Sequence, residues 1–97
     1  QAESTELRAR ALWLTGNSDE ALSQIKLAMA LNAESFDLRD RQIRWLLSLG
    51  RTREAFEQAQ VIGYLWPKDP RARQLLEMTA EADAEGRGTV SEKENQP

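Results

Sequence analysis

Asp37 and Asp40 are one helical turn apart, and so are Glu81 and Glu85. Two carboxylates at that spacing are the least a helix needs for a crude acid–base pair or a cation site. Pairs like these occur on most charged helices, and nothing in this chain extends them. It contains no His and no Cys, which removes the commonest general base, the commonest metal ligand and any thiolate. No Gly-rich phosphate loop is present. The reading is therefore not an enzyme, with no metal and no cofactor.

Arginine is the other chemistry on offer. Arg39, Arg41, Arg44, Arg51, Arg53, Arg71 and Arg73 fall in one stretch, and guanidinium groups are forked donors for carboxylates or phosphates. Residues 1–38 hold three basic and six acidic residues, 39–73 eight and four, and 74–97 two and six. The chain is thus a basic band between acidic ends, with a net charge of −3. A phosphate-binding role fits poorly with a pI near 5.0, and Trp45 is the one aromatic set among these arginines. Asp40–Arg44, Arg53–Glu57 and Asp69–Arg73 all have the i,i+4 spacing at which charges neutralise each other along a helix. No nucleic acid is expected. No apolar run approaches the roughly 20 residues that cross a bilayer, so no membrane insertion is expected either.

The elements that would carry these residues are helical. The chain is 40% hydrophobic and 30% charged with three prolines, and its Ala, Leu, Glu and Arg favour helices. A first helix is expected from Ser4 or Thr5 to Thr15, burying Leu7, Ala11 and Leu14. A second uses Ala21, Leu22, Ile25, Ala28, Met29 and Leu31, with Asn17 and Glu20 at capping-box spacing. Ser35 or Asp37 opens a third, apolar nearly all round near its end. A fourth starts near Thr52 or Arg53 and contains Gly63, expected at a close helix contact. Asp69-Pro70 has the form of an N-cap followed by the first helical residue. The fifth helix then runs on to Gly86 and Gly88, leaving residues 86–97 as a disordered tail behind a domain at 2–85.

The chain repeats itself. Gly16-Asn17-Ser18-Asp19-Glu20-Ala21 and Gly50-Arg51-Thr52-Arg53-Glu54-Ala55 share Gly, Glu and Ala at an offset of 50 − 16 = 34 residues. Leu12 matches Leu46, Leu31 matches Leu65, Ala28 stands opposite Ile62, and Ala33 opposite Pro67. The small Ala21 and Ala55 would let antiparallel helices approach closely. In period and punctuation the chain resembles the tetratricopeptide repeat (TPR) family, whose unit is a 34-residue helical hairpin. The resemblance covers about residues 2–69, with the opening helix of a third unit after it. It departs where the family's early Trp is Thr5 or Arg39, and where its closing Pro is Ala33. It implies an all-α, right-handed helical-hairpin repeat, a TPR-like α-solenoid of about five helices. So few repeats predict a piece of a longer array or a domain of a larger protein.

In that family the first helix of each hairpin lines a concave groove. Matching positions puts Glu3, Glu6, Arg10 and Trp13, then Asp37, Asp40, Arg41, Arg44 and Leu47, then Arg71, Gln74 and Met78 along the groove. Of these, Arg10, Trp13, Asp40, Arg41, Arg44, Leu47, Arg71 and Met78 are the expected partner-binding residues. Trp13 and Leu47 are apolar anchors, and Arg41, Arg44 and Arg71 orient an acidic stretch. The family's chaperone-tail clamp is broken here, because Glu6 stands with Arg10 and Arg44 in its places. The resemblance thus implies a non-catalytic protein–protein interaction scaffold, binding a protein or peptide segment that is acidic with an apolar anchor. The alternative is a structural edge or self-association module with no groove ligand. Loose Ala/Leu/Arg-rich repeats resemble bacterial members, many of them in envelope assemblies, which is analogy alone. Compartment stays open between cytoplasm and bacterial periplasm. Arg44→Glu is expected to damage binding far more than Arg53→Glu, with both residues at the surface and neither change unfolding the domain.

Overall fold

A computed structural model describes residues 2–95, with side chains described over residues 4–86. It contains five helices: α1 (Ala2–Leu14), α2 (Ser18–Leu31), α3 (Phe36–Ser48), α4 (Thr52–Leu65) and α5 (Pro70–Asn95). No strand occurs among the described residues, so the all-α expectation holds. Nor is any described helix long and apolar enough to cross a membrane.

The 34-residue period is present in the backbone. The bounds of α1 and α2 recur in α3 and α4 (36 − 2, 48 − 14, 52 − 18 and 65 − 31), and α5 opens 34 residues beyond Phe36. The cause is local. Gly16 and Gly50 have φ of 85° and 75°, the left-handed region that glycine enters without a Cβ clash. Each closes a Schellman turn. Gly16 N–H donates to the Trp13 carbonyl and Asn17 N–H to that of Leu12; Gly50 N–H donates to Leu47 and Arg51 N–H to Leu46. Asn17 and Arg51 then open the next helix with nearly equal backbone angles, −89°/66° and −88°/63°.

That economy explains a correction. A capping box needs the N-cap N–H free to receive the Glu side chain, but the Asn17 N–H is already spent on Leu12. The Asn17 amide instead donates to the Thr15 hydroxyl at 3.0 Å, and no side-chain cap bond forms. α3 and α5 are capped by side chains, with Leu38 N–H donating to Ser35 Oγ and Arg71 N–H to Asp69 Oδ1.

The chain divides into two compact units, Gln1–Trp45 and Leu46–Pro97. In the first, α1 packs on α2, and Ala9, Ala21, Leu22, Ile25, Ala28, Leu38 and Ile43 are buried. The expected α1 face is wrong in phase. Thr5 and Ala9 are buried, whereas Leu7 and Leu14 are 64% and 82% exposed. The small residues lie on the buried face, where small side chains let helices come close, and the leucines are left outside.

In the second unit α4 packs on α5, burying Ala55, Ala59 and Ile62 with Ala72, Leu75 and Thr79. The Thr79 hydroxyl is satisfied by the Leu75 carbonyl at 2.7 Å. Gly63 sits at no close contact, since a Cβ built there meets nothing within 4 Å. α5 does not stop at Gly86 as expected but extends to Asn95. Gly86 has no positive φ, and a glycine with ordinary helical angles weakens a helix without ending it. From residue 87 the expected tail lies outside the residues whose side chains are described.

Candidate functional site

The first unit holds an open cleft of about 450 Å³, lined by Glu6, Ser35, Asp37, Asp40, Arg41, Arg44 and Trp45. α3 supplies most of it. Asp37, Arg41 and Trp45 follow one another at i, i+4 and i+8, so helical periodicity stacks them on a single stripe. Asp40 and Arg44 form the neighbouring row. The start of α3, and hence the stripe's position, is fixed by the Ser35 cap.

Trp45 is buried and stacks on Trp13 of α1, with ring centroids 4.7 Å apart and planes 5° from parallel. At that separation two parallel indoles are offset, the arrangement their quadrupoles favour. The stack ties α1 to α3, and its Trp45 ring lines the cleft. Trp13 is half-buried and therefore part of the packing as well as a surface residue.

The charges along the cleft are mostly spoken for. Arg44 Nε donates to both carboxylate oxygens of Asp40, at 3.2 and 3.1 Å. Arg41 Nε faces Glu6 Oε2 at 3.5 Å, an ion pair that completes no hydrogen bond. Asp37 is exposed and forms no hydrogen bond or ion pair with any described residue. Three carboxylates against two guanidinium groups leave the cleft at −1, with Asp37 as the surplus.

Of the residues expected from sequence, Asp40, Arg41 and Arg44 line this cleft, and Trp13 is joined to it through Trp45. Arg10 is exposed on α1 and is not part of the lining. Leu47, Arg71 and Met78 belong to the second unit. Leu47 and Met78 are half-buried there, and Arg71 is exposed but committed to Asp69, its Nη2 lying 2.7 Å from Oδ2. The Asp69–Arg73 pair expected from spacing does not form, because Arg71 takes the acid from two residues away. Asp69 is held below its ordinary value of 3.8, first by the Arg71 side-chain hydrogen bonds and then by the Arg71 backbone N–H.

Glu6 and Asp37, expected on the groove face from matching positions, also line the cleft, whereas Trp45 and Ser35 were not expected there. The i, i+4, i+8 stripe was the signal that could have found Trp45. The Trp13–Trp45 contact has no sequence signature, because the two lie at unmatched positions of the 34-residue period.

Arg53 also needs correction. Its Nη1 donates to Asp83 Oδ2 at 3.2 Å, and Asp83 is only 3% exposed. The expected partner Glu57 is more distant at 3.9 Å. Arg53 is therefore no neutral surface control. Among the described residues no group of three or more His, Cys, Asp or Glu is placed to hold a metal ion. Comparison of the chain with protein-family models, curated proteins and solved structures finds no match.

Proposed function

We propose that this chain is a non-catalytic protein-interaction scaffold of the helical-hairpin repeat type, and that it takes a partner segment in the cleft between α1 and α3 of the first unit. The TPR-like reading is supported by helix bounds, Schellman turns and cap angles that all recur at 34 residues. The observation that carries the binding role is the cleft itself: a polar opening lined by Trp45, which Trp13 holds in place by stacking, with one carboxylate left without a partner. A rigid aromatic wall offers contact area at low entropic cost, and charged groups beside it select what may lie there.

The test is a random peptide library displayed on phage and panned on the intact chain. Affinities of the enriched peptides are then measured on Arg44→Glu and on Lys26→Glu, an exposed change on α2 outside the cleft. Reversal at Arg44 should move affinity about fivefold or more in either direction, while Lys26→Glu leaves it in place. Equal responses at both sites would remove the cleft as the binding surface.

A second reading, self-association or the edge of a longer array, is favoured by one observation. Leu7, Ala11 and Leu14 form an exposed apolar stripe on α1. Their period equivalents on α3 are Arg41, Trp45 and Ser48, and α1 supplies Glu6 and Trp13 to the first two of these. Light scattering over a concentration series separates the readings: growth in mass that Leu7→Ser with Leu14→Ser abolishes supports the edge.

A further inference from the structure

The sequence pointed to an acidic partner, drawn in by the arginine band. The ion pairs reverse that expectation. We infer that the segment the cleft accepts is basic, and that Asp37 is the residue that selects it, through a Lys or Arg side chain of the partner. The inference rests on the cleft reading above and gives it a polarity.

The pairing of the charges along the lining decides the polarity. Arg44 is occupied by Asp40 with both carboxylate oxygens engaged, and Arg41 stands against Glu6 at 3.5 Å. An acidic segment would have to compete with carboxylates already held at the surface by their own helix or the neighbouring one, with no entropy of association to overcome. Asp37 has no such competitor. It is exposed, it lines the same opening, and it shares its stripe with Arg41 and Trp45. A cation placed beside it would make its charge good without breaking a pair, and would bring the lining from −1 to neutral. The bland role for Asp37 is an acid in the first turn of α3, where the helix dipole favours negative charge. That role predicts an effect on stability and none on partner preference.

Magnitude sets what to look for. An exposed ion pair changes affinity up to about fivefold, so the signature is a modest preference that follows the charge at one position. The experiment uses two pools of decapeptides with blocked ends, identical in their apolar positions, one pool carrying Lys and Arg and the other Glu and Asp. Binding to the whole chain is read by fluorescence anisotropy in low salt. The basic pool should bind about two- to fivefold more tightly. The ratio should fall to about one for Asp37→Asn and invert for Asp37→Lys, with helicity by circular dichroism unchanged. Tighter binding of the acidic pool, or a ratio indifferent to both substitutions, overturns the inference while leaving a binding cleft in place. If neither pool binds although the displayed peptides do not either, the cleft reading falls and this inference with it; displayed peptides that bind without any charge preference sink the inference alone.

Discussion

Gly16 and Gly63 are alike in one respect, since a Cβ added to either meets no atom within 4 Å. They differ in backbone angle, and that decides the sign of the same substitution. Gly16→Ala forces an L side chain into the left-handed region and should cost about 1–2 kcal/mol. Gly63→Ala should stabilise by roughly 0.5–1 kcal/mol, because Gly63 sits within α4 without a positive φ and alanine narrows the unfolded ensemble. Urea midpoints of the two variants check both, and loss of stability in Gly63→Ala would mean that the glycine has a close neighbour after all. Asp69 offers a second measurement at this scale. Its folded pKa lies below the ordinary 3.8, so whatever it contributes to stability is present above about pH 4 and is lost as pH falls through the lowered value. Carboxyl NMR should find Asp69 titrating below the ordinary Asp range, and Arg71→Ala should raise its midpoint. An unchanged midpoint would show that Arg71 is not the cause.

At the level of helices, the period was legible because it is written in punctuation. Gly16 and Gly50 must take positive φ, and residues that end helices are less replaceable than those that fill them. The phase of α1 was not legible. Leu7, Ala11 and Leu14 make a good apolar stripe, but the buried face of α1 carries Thr5 and Ala9, since close approach of helices suits small side chains. Spacing alone likewise named Asp40 for Arg44 and Glu57 for Arg53 correctly, yet offered Arg73 for Asp69 and missed Asp83 as the nearer partner of Arg53. Local i,i+4 arithmetic cannot see a carboxylate 30 residues away. The Arg53–Asp83 contact fixes α5 on the first turn of α4, where the Thr52 hydroxyl also reaches Asp83 at 3.4 Å. Arg53→Glu should therefore cost roughly 1–3 kcal/mol, discounted from a fully buried pair because Arg53 is itself 58% exposed. Arg44→Glu, beside the half-buried Asp40, should stay within about 1 kcal/mol. Chemical denaturation of both orders them, and equal losses would leave Asp83 without the anchoring role assigned to it.

Over the whole chain, the charge layout read from sequence was sound as a count, and it did not show which charges pair. The basic band is there, but several of its arginines serve carboxylates of their own chain, and pairing of that kind leaves no trace in a net charge. On the proposed reading, recognition rests on Asp37 and the Trp45 face of the cleft, both in the first unit. Trp13, Trp45 and Trp66 provide three indole reporters: Trp45 lining the cleft, Trp13 stacked on it, and Trp66 in the second unit. The most direct measurement is a ¹H–¹⁵N NMR titration of the intact chain with the tightest peptide from the display library. The account predicts that the Trp13 and Trp45 indole N–H resonances move together with added peptide while that of Trp66 stays in place. Movement of Trp66 alone, with the stacked pair silent, would contradict it.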